Sequence, residues 1–290
     1  MRSFAEHNPI AQAVYFLCAA GIAMFSMDPA IILLSLTGAL ALSLLVGGLR
    51  GWRTHLAALT LFLVMALVNP LVSHRGVTVL FVMNHNPVTL EALLYGLSAA
   101  GMIVAVLYWF RAFSRLMTTD RLLYLFGALS PKLALLLSMT LRYVPLFEAQ
   151  TRRVHQAQKA MGLFREDSLI SDLRGRLQIF SVMTTWALEN GVITADSMTA
   201  RGYEIGRRSR FAIFRFTLWD GLLTILSLLL AGGAIWGISA RSIVYYPAFA
   251  ASPLTPQALA GYCAYGLLVL LPLIIDGKEA LRWRCLRSTI

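Results

Sequence analysis

Acidic residues are scarce in this chain: 14 Asp and Glu stand against 25 Lys and Arg among 290 residues, and charged residues of both signs make up only 13%. A soluble globular domain carries roughly 25%, so the composition argues against a soluble enzyme or binding domain. Cysteine is scarcer still. Cys18, Cys263 and Cys285 are odd in number, widely separated and without a CxxC pair, so no disulfide framework or structural zinc site is indicated. They read as small fillers or surface thiols. The chain also lacks a GxxxxGK[ST] loop to cradle ATP phosphates, an HExxH helix and a GxSxG elbow.

What it has in abundance is oil: 58% of residues are hydrophobic. Apolar runs at 11–27, 29–47, 55–73, 90–110, 217–238 and 258–275 are each near the length that crosses a hydrocarbon core as a helix. The expected fold class is an all-α integral membrane protein with about six transmembrane helices, four then two. Arg2 ahead of an apolar stretch resembles a signal peptide, but Glu6 interrupts the basic region and a second apolar run follows almost at once. The first run is therefore read as a retained helix. A net charge of +11 would suit nucleic acid, but with the N-terminus inside, only Arg75 and Arg241 of the 25 Lys and Arg fall outside. The positive-inside rule then places both termini in the cytoplasm, and nucleic acid is not an expected partner. Within the crossings no Asp, Glu or His is central, so no proton relay is evident. Glu91, Asp220 and Asp276 fall at helix ends and read as interfacial. His74 and His85 read as ordinary histidines of an outer loop rather than metal ligands.

Three regions follow: a four-helix membrane block at 1–110, a cytoplasm-facing region at 111–215 that carries most of the charge, and a two-helix block with a basic tail at 216–290. The stretch 122–141 is apolar apart from Pro131 and Lys132. Crossing fully would put the seven basic residues from Arg142 to Arg176 outside, so it is expected to be a buried, tilted or re-entrant segment. After it, 141–162 reads as a long amphipathic helix. Tyr143, Phe147, Gln150, Val154, Ala157 and Met161 form an apolar seam interrupted only by Gln150. Glu148, Arg152, His155 and Lys159 form a polar stripe, with Glu148 and Arg152 in the favourable i, i+4 order. A second long helix is expected from about Leu177 to Arg201.

Gly162 and Gly202 suit left-handed caps that end these two helices. The ends share a pattern, Ala160-Met161-Gly162 and Ala200-Arg201-Gly202: a small residue, a long side chain, a terminating glycine. A cation in a last turn is favoured by the helix dipole by about 0.3 to 1 kcal/mol, so from composition alone Arg201 reads first as a capping charge, with an exposed contact as the alternative.

These residues resemble a known family, the transmembrane T component of energy-coupling factor (ECF) transporters, a branch of ABC importers for vitamins and transition-metal ions. In that family two cytoplasmic coupling helices end in Ala-Arg-Gly signatures. "AQKAMG" (157–162) looks like the first and "ARGY" (200–203) like the second. "LRYVP" (141–145) followed by Glu148 is similar to the family's Leu-Arg-Phe/Tyr-x-Pro segment, "TTDRLLYL" (118–125) to the stretch before it, and "HNP" (7–9) more loosely to its N-terminal His-Pro motif. The similarity covers roughly 111–203.

The resemblance implies a prokaryotic cell-membrane subunit without an active site. Its partners would be two ABC ATPase subunits, or a fused pair, and a small membrane S component that binds the substrate. ATP and Mg would reside in the ATPases, with no cofactor or metal on this chain. Arg201 would seat in an ATPase groove, with Ala160 and Ala200 letting the tips approach closely. Met161 stands where the family has arginine, so a weaker first contact is expected, with Lys159 supplying charge from another face. Arg142, Tyr143, Pro145, Phe147, Glu148 and Val154 would scaffold the coupling helix or pack against a partner, although the seam suits internal core equally well. Two readings of other classes are a lipid-modifying membrane enzyme, with Arg152, Arg153 and Lys159 as head-group ligands, and a self-sufficient secondary transporter built on repeats. The first lacks a nucleophile or paired carboxylates, the second a repeat.

Overall fold

A computed structural model describes residues 4–48, 51–73, 76–83, 86–162, 169–203, 214 and 216–287. In chain order they form α1 (Pro9–Phe25), α2 (Pro29–Gly47), α3 (Trp52–Val72), β1 (Val79–Met83), β2 (Asn86–Thr89), α4 (Leu90–Leu116), α5 (Thr119–Leu129), α6 (Pro131–Ala160), α7 (Leu169–Ala200), α8 (Leu218–Ser239), β3 (Ile243–Val244), β4 (Ala250–Ala251) and α9 (Pro256–Arg287). The chain divides into two units, Met1–Leu122 with Phe214–Ile290, and Leu123–Ile213.

In the first unit, helix starts follow local chemistry. Asn8 and Asp28 cap α1 and α2 by accepting from the N–H groups of Ile10 and Ala30, and each is followed by a proline at the first helical position. Among the described residues, five helices are long and apolar enough to cross a membrane: α2, α3, α4, α8 and Pro256–Lys278 of α9. α1, the first of the six expected crossings, has 17 residues and is shorter. The chain is an all-α, multi-pass membrane protein; among the described residues, two small antiparallel hairpins lie in the α3–α4 and α8–α9 connections.

α1 packs on α4 and α8, α2 on α4 and α9, and α8 on α9. The core gathers Phe4, Tyr15, Phe16, Trp109, Tyr265 and Leu268, with edge-to-face contacts among the first four rings. The buried Trp109 Nε1–H donates to Ser35 Oγ at 2.8 Å, which removes the cost of an unpaired donor. Small residues set a close helix crossing: a methyl added at Gly237 of α8 would stand 2.3 Å from Gly261 Cα of α9.

In the second unit, α5 ends at Leu129 because Pro131 disfavours helical backbone at Ser130, which is extended at φ −150°, ψ 119°. The apolar stretch 122–141 therefore occupies parts of two helices. α6 runs unbroken through both the end of that stretch and the amphipathic segment. α7 begins at Leu169, earlier than the expected position near Leu177.

Candidate functional site

The two helix tips are built alike. Gly162 and Gly202 adopt φ of 69° and 77°, the left-handed region where a Cβ costs energy. At the α7 end, the Tyr203 N–H donates to the Met198 carbonyl (3.0 Å) and the Gly202 N–H to that of Thr199 (2.9 Å), the paired bonds of a Schellman cap. The α6 end has the matching inner bond, Gly162 N–H to the Lys159 carbonyl at 3.1 Å. Ala160, Met161, Ala200 and Arg201 are all exposed, so each cap presents one long side chain between a small residue and a glycine.

α6 and α7 pack antiparallel. The Tyr143 hydroxyl bonds to Thr194 Oγ1 at 2.8 Å, and Phe147 meets Trp186 edge to face at 5.4 Å. The register set by Phe147 and Trp186 places Gln150 level with Met183, Val154 with Ile179 and Gln158 with Gly175. The α7 members of these pairs and Gln158 are buried, while Gln150 and Val154 are half-buried. The seam is thus Tyr143, Phe147, Gln150, Val154 and Gln158. Its expected lower end is corrected: Ala157 is exposed and Met161 is 65% exposed, because Gln158 turns toward α7 while Met161 lies past the last helical turn. By the rise per residue, this register carries the two tips to opposite ends of the pair, roughly 40 Å apart.

On the outer face Glu148 and Arg152 form the expected i, i+4 pair at 2.6 Å, both largely exposed, worth only a few tenths of a kcal/mol. Arg142, Pro145 and Lys159 are exposed as well. Pro145 lies inside α6 and, lacking an N–H, leaves the Leu141 carbonyl without its i+4 donor.

The first unit holds a second constellation that sequence reasoning underrated. Asp220, expected at an interface, is fully buried at the start of α8. One carboxylate oxygen lies 2.7 Å from His7 Nδ1 and accepts the Asn8 N–H at 3.1 Å. The other accepts the Thr217 N–H (2.9 Å) and hydroxyl (2.6 Å). The "HNP" stretch is therefore the clamp between the N-terminal segment and the C-terminal block. Arg121 reinforces it, donating to Gln12 Oε1 at 2.8 Å and to the Ala5 carbonyl; burial pulls its guanidinium below the ordinary value. Asp276 accepts the Phe4 N–H at 2.7 Å. Glu91, also expected to be interfacial, is 2% exposed and bound by the Thr78 N–H and hydroxyl. Beside the clamp, an apolar groove of about 660 Å³ lies between α8 and α9, lined by Leu226, Leu230, Leu267 and Leu271 with His7, Thr217 and Lys278 as polar members. The sequence signals for the clamp were present in "HNP" and "TTDRLLYL", but neither names Asp220.

His74 and His85 lie outside the described residues. Among the described residues, no three His, Cys, Asp or Glu side chains come together as a metal site.

No family model matches the chain. It is 30% identical over 105 residues to the energy-coupling factor transporter transmembrane protein EcfT 1 of Listeria monocytogenes, a match covering 36% of this chain and 40% of that protein. It is 33% identical over 101 residues to the EcfT protein of Streptococcus equi, covering 34% and 38%, and 32% identical over 113 residues to that of Streptococcus thermophilus, covering 38% and 42%. The chain thus spans about two-fifths of the length of the curated relatives it matches. Over that part of its length the chain is EcfT-like, similar to the transmembrane components of energy-coupling factor transporters.

Proposed function

We propose that the chain is the membrane-embedded coupling subunit of an ECF-type ABC importer, passing motions of ATP-hydrolysing partners through the tips of α6 and α7 to a membrane S component that carries a vitamin or metal ion. The observation that carries the reading is the pair of glycine-capped tips at opposite ends of one antiparallel helix pair. Two separated, exposed ends on a rigid pair suit two separate receptor grooves. The seam makes the pair move as a body, since Phe147 and Trp186 interlock near the middle of both helices.

In this reading the chain is non-catalytic and binds no cofactor, while ATP and Mg belong to the ATPases. Arg201 donates bidentate hydrogen bonds to carboxylates in one groove. Met161 fills an apolar part of the other, with Lys159 beside it. Both termini face the cytoplasm of a prokaryotic cell, on the side where all but two of the Lys and Arg accumulate.

The test is co-purification of the tagged chain from its native membrane, as wild type and as Arg201→Glu. The reading expects ATP-binding subunits and a small membrane protein with the wild type, and loss of the ATPases from the variant. A chain that comes out alone, unaffected by the substitution, would return Arg201 to a capping charge and defeat the proposal.

A further inference from the structure

An arginine of α4 lies against each of two glycines, Gly47 at the end of α2 and Gly51 at the start of α3. A methyl group at Gly47 would fall 1.3 Å from Arg115 Nη1, and one at Gly51 2.2 Å from Arg111 Nη2. Glycine at both positions is what lets the guanidinium groups lie so close. Tyr108, Arg111 and Arg115 share one face of α4 at i, i+3 and i+7. His55, in the first turn of α3, stacks on Tyr108 with ring centroids 5.6 Å apart and shares Nδ1 with its hydroxyl at 2.9 Å.

Two of these groups are unfinished. Arg111 Nη1 and His55 Nε2 are buried atoms without a hydrogen-bond partner among the described residues. In the tautomer where Tyr108 donates to Nδ1, the proton sits on Nε2, so both atoms are donors lacking an acceptor. The first turn of α3 adds further donors, since its N-cap Gly51 offers no side chain to them. Among the described residues no carboxylate forms an ion pair with Arg111 or Arg115, and Glu91, the one acidic residue of the sequence between Asp28 and Asp120, is engaged with Thr78 at the other end of α4.

The missing acceptor is an anion, and the surroundings define its kind. The cluster stands where α3 enters its membrane-length span at Trp52, itself 63% exposed, the position of an interfacial aromatic anchor. Below it, Leu56, Leu59 and Leu63 form an exposed apolar strip along α3.

We propose that Arg111, Arg115 and His55 bind the phosphate of an anionic membrane phospholipid whose acyl chains lie along the Leu56–Leu59–Leu63 strip. Phosphate oxygens accept from a guanidinium in the paired geometry that arginine favours, and basic recesses between membrane helices recognise anionic head groups in this way. The assignment is independent of the coupling role.

The test compares lipid adducts on the purified full-length chain by native mass spectrometry, with short-chain phosphatidylglycerol, phosphatidylcholine and inorganic phosphate as probes. Wild type should bind phosphatidylglycerol in clear preference to phosphatidylcholine. R111Q/R115Q should lose that preference by roughly 25-fold, about fivefold per cation, while Arg152→Gln, which removes an exposed charge of the second unit already paired with Glu148, should keep it. Equal binding of both lipids to wild type would overturn the proposal without recourse to any variant, as would a preference surviving in R111Q/R115Q. Displacement of phosphatidylglycerol by an equal concentration of inorganic phosphate would identify a soluble anion as the ligand and overturn the lipid assignment.

Discussion

The imidazole of His7 meets the carboxylate of Asp220 at 2.7 Å, joining residues 213 positions apart in sequence. The same carboxylate closes the first turn of α8 through Thr217, so one side chain both starts a helix and holds the N-terminal segment to it. Removing it strands buried donors on both sides. Asp220→Ala should cost about 2–4 kcal/mol, since each buried group left unsatisfied costs about 1–3 kcal/mol. Asp220→Asn, which keeps the volume and one acceptor, should fall between the two. Thermal unfolding of the purified chain in detergent reads this; wild-type melting of Asp220→Ala would mean the clamp is not structural.

The Gly237–Gly261 crossing gives a second, independent stability test. An alanine at 237 would place its methyl 2.3 Å from a backbone atom of α9, which cannot rotate away, so the helices must separate. Overpacking of this kind costs about 1–3 kcal/mol. Gly232, also in α8, has open space where its methyl would go, and Gly232→Ala should instead stabilise by up to about 1 kcal/mol through helix propensity. Equal melting of the two variants would show that the small-residue contact does not set the α8–α9 distance.

How much of this was legible in the sequence depends on how local the signal was. The tips were readable because a left-handed glycine at a helix end is a property of a few consecutive residues, and 162 and 202 both adopt it. The upper seam was readable from periodicity, and Tyr143, Phe147 and Val154 are all half-buried. Its lower end was not, because Gln158 is polar yet buried, and a polar residue gives no periodic signal for burial. The start of α7 was missed for a local reason: Gly175 and the mixed charges of Asp172, Arg174 and Arg176 break the apolar period, although Asp172 and Arg176 in fact pair within the helix at 3.0 Å. Asp220 was readable as a helix start but not as the partner of His7, since nothing near either residue encodes a contact across 213 positions.

The cap at Gly202 should be sensitive to a single methyl group. An L-residue at φ 77° carries roughly 1–2 kcal/mol of strain, so Gly202→Ala should fray the last turn of α7 and release the Tyr203–Met198 bond. Gly191, an exposed helix-interior position with open space around it, is the matched control, where alanine should stabilise by up to about 1 kcal/mol. Amide hydrogen exchange at 198–203 separates the cases: faster exchange in Gly202→Ala alone is expected, and unchanged exchange would show that the glycine is not needed for the cap.

The two tips should contribute unequally to partner binding. Arg201 offers five donors in a planar fork, whereas Met161 offers only adaptable apolar contact. On the proposed coupling role, in which Arg201 meets carboxylates of a partner groove, reversing its charge sets like charges together, so Arg201→Glu should reduce retained ATPase by at least about tenfold. Met161→Ala removes apolar area alone and should reduce it by only a few-fold, since deleting an exposed contact of that size forfeits about 1 kcal/mol or less. Lys159, two residues before Met161 on a different face, should modulate the second effect but not the first. Retained ATPase per tagged chain, measured on gently extracted complexes, decides between the cases. Equal losses at both tips would remove the asymmetry and put the weight of coupling on the shared backbone cap rather than on the side chain it presents.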